Sequence, residues 1–214
     1  EVFEQRAHAG WRAVQIALDE KLVKPILIGR PAVIAARIER AGLRLAAGRD
    51  FEVVNPEDDA RFRQYWETYH HLNARNGVTP DVAKASVRRS NTIIGSLMLH
   101  LGDADAMLCG LVGRFDNHFE HVKEVIGAAP GARCYATMNA LMLDKHTLFI
   151  ADTFVNDEPD AEQLADIAVM AADEVRRFGI PPKVAFVSHS MYGSSKRASA
   201  VKMRAARDLF VQRR

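Results

Sequence analysis

The stretch Leu101-Gly-Asp-Ala-Asp-Ala-Met-Leu-Cys-Gly110 constrains this chain more than any other. The segment that leads into it, Asn91 to Leu101, carries the almost wholly apolar run Thr92-Ile-Ile-Gly-Ser-Leu-Met-Leu, and a helix apolar around its circumference must be buried. Its small members Gly95 and Ser96 would let another backbone come close. Gly102 suits a helix C-cap, because glycine takes the left-handed conformation without steric cost. Asp103 and Asp105 suit the turn, and Ala106 to Cys109 reads as a short buried strand closed by Gly110.

Upstream, helices and strands alternate. Arg6 to Leu22 places Trp11, Val14, Ile16, Ala17 and Leu18 mostly on one helical face; Pro25-Ile-Leu-Ile-Gly29 reads as a strand. Pro31 opens a helix through Ile34 and Ile38 that stops near Gly42, and Phe51-Glu-Val-Val-Asn55 reads as a second strand. Parallel neighbours need crossover helices, so this rhythm implies a mostly parallel sheet covered on both faces. Glu57 to Arg75 reads as a long helix, and Thr79-Pro80 as the N-cap and first turn of the next.

Downstream, Asn117 to Ile126 reads as a helix, and Ala129-Pro-Gly-Ala132 as the best hinge, dividing 1–131 from an incomplete second subdomain, 132–214. Tyr135 to Leu143 and Thr147 to Ala151 read as strands. The turn Asp144-Lys-His146 is too short for a crossover helix, so the pair is antiparallel and the second sheet mixed. Asp160 to Phe178 is an amphipathic helix, Lys183 to Ser188 a strand, and Lys196 to Val211 a last helix opened by a Gly/Ser loop.

Composition excludes several classes of function. With 48% apolar and 26% charged residues the chain has the balance of a soluble globular protein, and 29 basic against 27 acidic residues leave only +2. That charge indicates no nucleic-acid surface, despite the basic end Lys202 to Arg214. No apolar run of about 18 residues is present to span a membrane, and no secretory signal pattern opens the chain, so a cytoplasmic protein is expected. Cys109 and Cys134 sit in apolar runs and read as small hydrophobes. Glu1 in place of methionine suggests a piece of something larger.

The loop Ser188-His-Ser-Met-Tyr-Gly-Ser-Ser-Lys-Arg197 falls after a strand and before a helix, where backbone N–H groups and the helix dipole favour anions. A plain Ser-capped helix fits the same composition. Ser190, Ser194, Ser195 and Lys196 are its candidate ligand contacts, and His189 reads as either a loop capper or a ligand contact. Arg89, beside Arg88, and Arg114 stand where a guanidinium fork meets phosphate at strand ends. His118 and His121 share a helical face at a spacing that can hold a metal, but a third ligand and a second shell are not supplied, so no metal site is assigned. His70 and His71 read as part of a partly exposed helix face.

Several stretches together resemble the phosphate acetyl/butyryltransferases. They are Tyr69 to Pro80, Leu101 to Met107, Ala129-Pro-Gly131, Phe149-Ile-Ala-Asp152 with Val155-Asn156, Ala161-Glu-Gln-Leu-Ala165, and Phe178-Gly-Ile-Pro-Pro-Lys-Val184. Pro25 to Pro31 and Met107-Leu-Cys-Gly110 look more like the version of this domain fused to the C-terminal side of bacterial NADP-dependent malic enzymes. The resemblance implies a three-layer α/β/α fold of the isocitrate/isopropylmalate dehydrogenase kind, with two subdomains around a cleft. It places Arg89 at a coenzyme A and phosphate site, and an ungapped alignment from Gly110 puts Glu120 where active members carry a second arginine. A carboxylate there would repel the anions that an arginine attracts. It also implies a strand before Arg6, not recognisable in Glu1 to Ala9, and a catalytic serine and aspartate beyond Arg214. The function so implied is a non-catalytic regulatory and oligomerisation domain, at least a dimer, that binds acetyl-CoA or a related thioester as effector. NADP and Mg or Mn would belong to the malic-enzyme half outside this chain. The alternative is an active transferase moving acetyl between coenzyme A and phosphate.

Overall fold

Pro25 leads the chain into its first strand, β1 (Ile26–Ile28), which pairs in parallel with β2 (Glu52–Val54); Leu27 faces Val53, and Gly29 N–H extends the ladder to Val54 O at 2.9 Å. The connection is α2 (Pro31–Arg40), with Pro31 at its first position, where the missing N–H costs nothing. A helix, α1 (Val2–Asp19), precedes them. The computed structural model describes residues 2 to 213, with side chains from Gly10 onward. The expectations for Glu1 and Arg214 lie outside these residues. The chain forms two compact units, one up to Gly127 and one from Ala128. Each is an α/β assembly with one two-stranded sheet.

In the first unit, α3 (Phe62–Asn73) starts later than the sequence suggests, because the chain after Pro56 turns before it coils. Asp59 Oδ1 accepts the Arg61 N–H at 2.8 Å just ahead of that start. α4 (Pro80–Arg89) begins as read: Thr79 Oγ1 accepts Val82 N–H at 3.3 Å and Pro80 follows. Ser90 closes α4 and caps α5 (Asn91–Leu101) through Ile93 N–H. Gly102 has φ of 79°, and Asp103 N–H reaches back to Met98 O at 2.8 Å, so the expected C-cap is formed.

Thr92 to Met98 are all buried, with α3, α4, α6 (Phe115–Val125) and β1 packed against α5. Ile93, Ile94, Leu97 and Met98 join Val54, Tyr65, Tyr69, Val87 and Val125 in one core. The apolar circumference of α5 is therefore covered inside its own unit and does not require a second copy of the chain. Gly95 makes room for a side chain rather than for a backbone: a Cβ there would lie 2.5 Å from Met107 Sδ.

Two expected strands do not form. Ala106 to Cys109 has no ladder partner among the described residues, Leu108 is fully exposed, and Cys109 is exposed rather than buried. Lys183 to Ser188 likewise has no ladder partner among the described residues. An apolar run becomes a strand only where a neighbour satisfies its backbone. The second sheet is therefore antiparallel alone, not mixed. In it β3 (Met138–Met142) pairs with β4 (Thr147–Ala151), and Leu143 N–H bonds His146 O at 3.0 Å across the expected turn.

α7 (Ala161–Arg177) opens with a capping box: Asp160 Oδ1 accepts Gln163 N–H at 2.8 Å, and Gln163 Oε1 accepts Asp160 N–H at 2.9 Å. It packs on α8 (Ala198–Gln212), and small residues are buried on both helices, Ala165, Ala168 and Ala172 on one and Ala200 and Ala206 on the other. Cys134 is half-buried, and burial pushes its thiol up from the ordinary range.

Candidate anion pocket

The first unit contains a hollow of about 430 Å³, lined by Ser86, Arg89, Ser90, Ile93, Val112, Gly113, Arg114, Asn117, His118 and His121. That volume falls in the range of about 300 to 1,000 Å³ found for small-ligand sites. Its walls are the last turn of α4, the start of α5 and the first turns of α6. The two arginines singled out in the sequence, Arg89 and Arg114, therefore meet at one hollow. They are not equivalent: Arg114 donates to Asp116 Oδ2 at 3.1 Å, while Arg89 has no ion-pair partner among the described residues. Arg88 turns away and stacks its guanidinium over the Phe62 ring at 4.7 Å.

The two imidazoles also differ. His118 Nε2 meets Val112 O at 2.8 Å, and a carbonyl only accepts, so that nitrogen carries a proton. Its Nδ1 lies 2.7 Å from Thr92 Oγ1, whose hydroxyl donates to it, and Thr92 is buried. Both nitrogens of His118 are thus used in fixing the segment 112–114 against α5. His121 Nδ1 lies 3.1 Å from Glu124 Oε2, and the same oxygen accepts the Tyr69 hydroxyl at 2.9 Å. Burial first, and then the hydrogen bond to the Glu124 carboxylate, push the Tyr69 hydroxyl up to about 12. Among the described residues no group of three or more His, Cys, Asp or Glu side chains is placed to hold a metal.

Glu120 does not line the hollow. It is exposed and accepts from Lys123 Nζ at 2.5 Å. At about 100° per residue, Asn117, His121, Arg114 and His118 share one face of α6 and Glu120 lies about 110° round from its centre. Its carboxylate therefore does not face this hollow.

The loop with Ser190, Ser194, Ser195 and Lys196 belongs to the second unit. Most of its hydroxyls are used within the loop: Ser188 and Ser190 Oγ atoms lie 3.2 Å apart, Ser194 Oγ donates to Met191 O at 3.0 Å, and Ser195 Oγ accepts Arg197 N–H at 3.2 Å. His189 sits between Ser195 Oγ at 3.3 Å and Ser199 Oγ at 3.4 Å. Arg204, which sequence reasoning missed, reaches from α8 to Ser195 O at 2.8 Å and to Gly193 O. α8 starts after Arg197 with no side-chain cap, so the plain Ser-capped helix does not form. Lys196 is exposed, with no ion-pair partner among the described residues.

An α/β chain with a cationic, hydroxyl-lined hollow at two helix junctions is the class that fold and site define. The chain belongs to the phosphate acetyl/butaryl transferase family, whose model matches residues 4–214. It is 52% identical over 192 residues to the NADP-dependent malic enzyme of Escherichia coli (strain K12), covering 90% of this chain and 25% of that protein. It is 46% identical over 198 residues to the NAD-dependent malic enzyme of Rhizobium meliloti (strain 1021), covering 92% and 26%. With the phosphate acetyltransferase of Nitratidesulfovibrio vulgaris the identity is 30% over 192 residues, covering 90% and 27%. The chain thus spans about a quarter of the length of these relatives. Among solved structures, the EutD phosphotransacetylase from Staphylococcus aureus matches with a TM-score of 0.83 at 21% identity, covering all of this chain and 62% of that one, a likeness of fold alone. A phosphotransacetylase from Streptococcus pyogenes matches with a TM-score of 0.81 at 26% identity, covering 94% and 60%. No helix among the described residues is long and apolar enough to cross a membrane.

Proposed function

We propose that this chain is a phosphotransacetylase-like regulatory and oligomerisation domain of a cytoplasmic NADP-dependent malic enzyme, and that it binds acetyl-CoA as an effector without transferring its acetyl group. The observation that carries the reading is the identity of 52% to a malic enzyme against 30% to a phosphate acetyltransferase over the same length of 192 residues. NADP and a divalent metal, Mg or Mn, would serve malate oxidation in a part of the protein outside this chain.

Arg89 supplies the free positive charge for an anionic part of acetyl-CoA, with Ser86, Ser90 and Asn117 as hydrogen-bonding neighbours. Ser190, Ser194, Ser195 and Lys196 are candidate anion contacts of the second unit taken by itself. Binding needs only such contacts. Acetyl transfer asks for more, because the thiolate, the acyl oxygen and the leaving phosphate all carry or develop negative charge that fixed donors must meet. With Arg114 paired to Asp116, this hollow offers Arg89 as its one uncommitted guanidinium among the described residues. Oligomerisation is supported by the β3–β4 hairpin, which leaves Leu141, Met142, Leu148 and Ile150 exposed.

The test is a pair of assays on the protein that carries this chain. Acetyl-CoA is expected to change the rate of malate-dependent NADP reduction, while acetyl phosphate and coenzyme A give no acetyl-CoA. Turnover of acetyl phosphate at about 1 s⁻¹ or faster, in the ordinary range of enzymes, would put the transferase reading in its place.

A further inference from the structure

We propose that His121 is an anion-binding residue of the hollow that works only when protonated, so that a phosphate-type dianion enters together with a proton. The proposal rests on the reading of the hollow as an anion site and adds to it the residue that sets its charge.

The hydrogen bonds around His121 decide which of its nitrogens holds a proton. Glu124 Oε2 is an acceptor, and it takes the Tyr69 hydroxyl at 2.9 Å and His121 Nδ1 at 3.1 Å. His121 Nδ1 therefore carries hydrogen, and Nε2 is the nitrogen left over, with no partner among the described residues. In the neutral ring Nε2 is a lone pair, which repels an anion and can donate nothing to it. Protonated, it becomes a donor with a full charge, in the same hollow as Arg89. Glu124 stabilises that charged ring from behind, as a positioning residue. The other imidazole cannot substitute, because Val112 O and Thr92 Oγ1 occupy both nitrogens of His118.

The remaining groups around His121 leave it as the element that changes. α4 presents the Arg89 guanidinium together with Ser86. α5 presents Ile93 and Ser90, and α3 presents Tyr69 behind the Glu124 carboxylate. On α6 itself, Arg114 is paired to Asp116. A proton on His121 therefore adds a second uncommitted cation beside Arg89 in the hollow, since Arg114 is held by Asp116.

The experiment titrates inorganic sulfate, which stays a dianion throughout, into the protein that carries this chain at pH values from about 8 down to about 5.5. The expected result is an affinity that rises by on the order of tenfold as the pH falls, the limit of one proton per unit of pH being tenfold. His121→Gln keeps the helix and takes up no proton, and is expected to bind sulfate with an affinity that does not change with pH. Glu124→Gln is expected to move the rise to lower pH. Arg89→Ala is expected to weaken binding at every pH while the slope remains. A flat profile in the unaltered protein, or an undiminished slope in His121→Gln, overturns the role of His121 while leaving the anion site standing. No sulfate binding by the unaltered protein at any pH overturns the site and this inference with it.

Discussion

The Thr92 hydroxyl lies 2.7 Å from His118 Nδ1, and this contact ties the buried interior of α5 to the wall of the hollow. Thr92→Val keeps the shape and removes the donor, leaving an imidazole nitrogen without its partner. The expected cost is about 1–2 kcal/mol of stability, measured by urea unfolding. The same variant should also loosen the segment 112–114, which His118 Nε2 holds through Val112 O at 2.8 Å, and so weaken anion binding several-fold.

Ser96 makes the opposite prediction. Its hydroxyl is fully buried in the middle of α5 and has no hydrogen-bond partner among the described residues. Removing an unsatisfied polar group from an apolar core relieves a desolvation penalty, and alanine is the better helix former. Ser96→Ala should be neutral or stabilise by up to about 1 kcal/mol in thermal or urea unfolding. A loss of more than about 1 kcal/mol would mean that the hydroxyl has a role this packing does not provide.

Asp152 gives the second unit an acid-sensitive set of hydrogen bonds. Burial would raise its pKa, but Thr137 N–H at 2.9 Å, Thr137 Oγ1 at 2.7 Å, and Asn156 N–H and Nδ2, both at 2.7 Å, outweigh that and hold the carboxyl down at about 2. A carboxyl depressed on folding contributes stability that is complete above the unfolded value near 4 and is lost as pH falls through the folded one. Acid unfolding monitored between pH about 4 and about 2 should therefore show a loss on the order of 1–2 kcal/mol that Asp152→Asn removes. An identical acid profile in the variant would remove Asp152 as the cause.

Local signals in the sequence located the boundaries of many elements. Thr79 with Pro80, Gly102, and Asp160 with Gln163 each act through one or two hydrogen bonds within a few residues, so the chain itself carries the instruction. Ala106 to Cys109 and Lys183 to Ser188 misled because a strand is completed by a distant partner, which an apolar run does not specify. At the hollow, Arg89 and Arg114 stood out in the sequence as candidates and both line it, and the same-face spacing of His118 and His121 was visible as well. Their different roles were not, since these depend on Thr92, Val112, Tyr69 and Glu124, brought up by packing. Glu120 was read by counting along the chain, which does not tell which face of α6 a residue occupies, and its face is not the one that lines this hollow.

Calorimetric titration of acetyl-CoA into the protein that carries this chain, with and without Arg89→Ala, tests the central claim most directly. Removing a charge-assisted contact to an anion costs about 1.5–3 kcal/mol, so the variant should bind about tenfold to a hundredfold more weakly while its unfolding midpoint stays unchanged. Equal affinity in the two proteins, or no binding of acetyl-CoA by the unaltered one, would contradict the account.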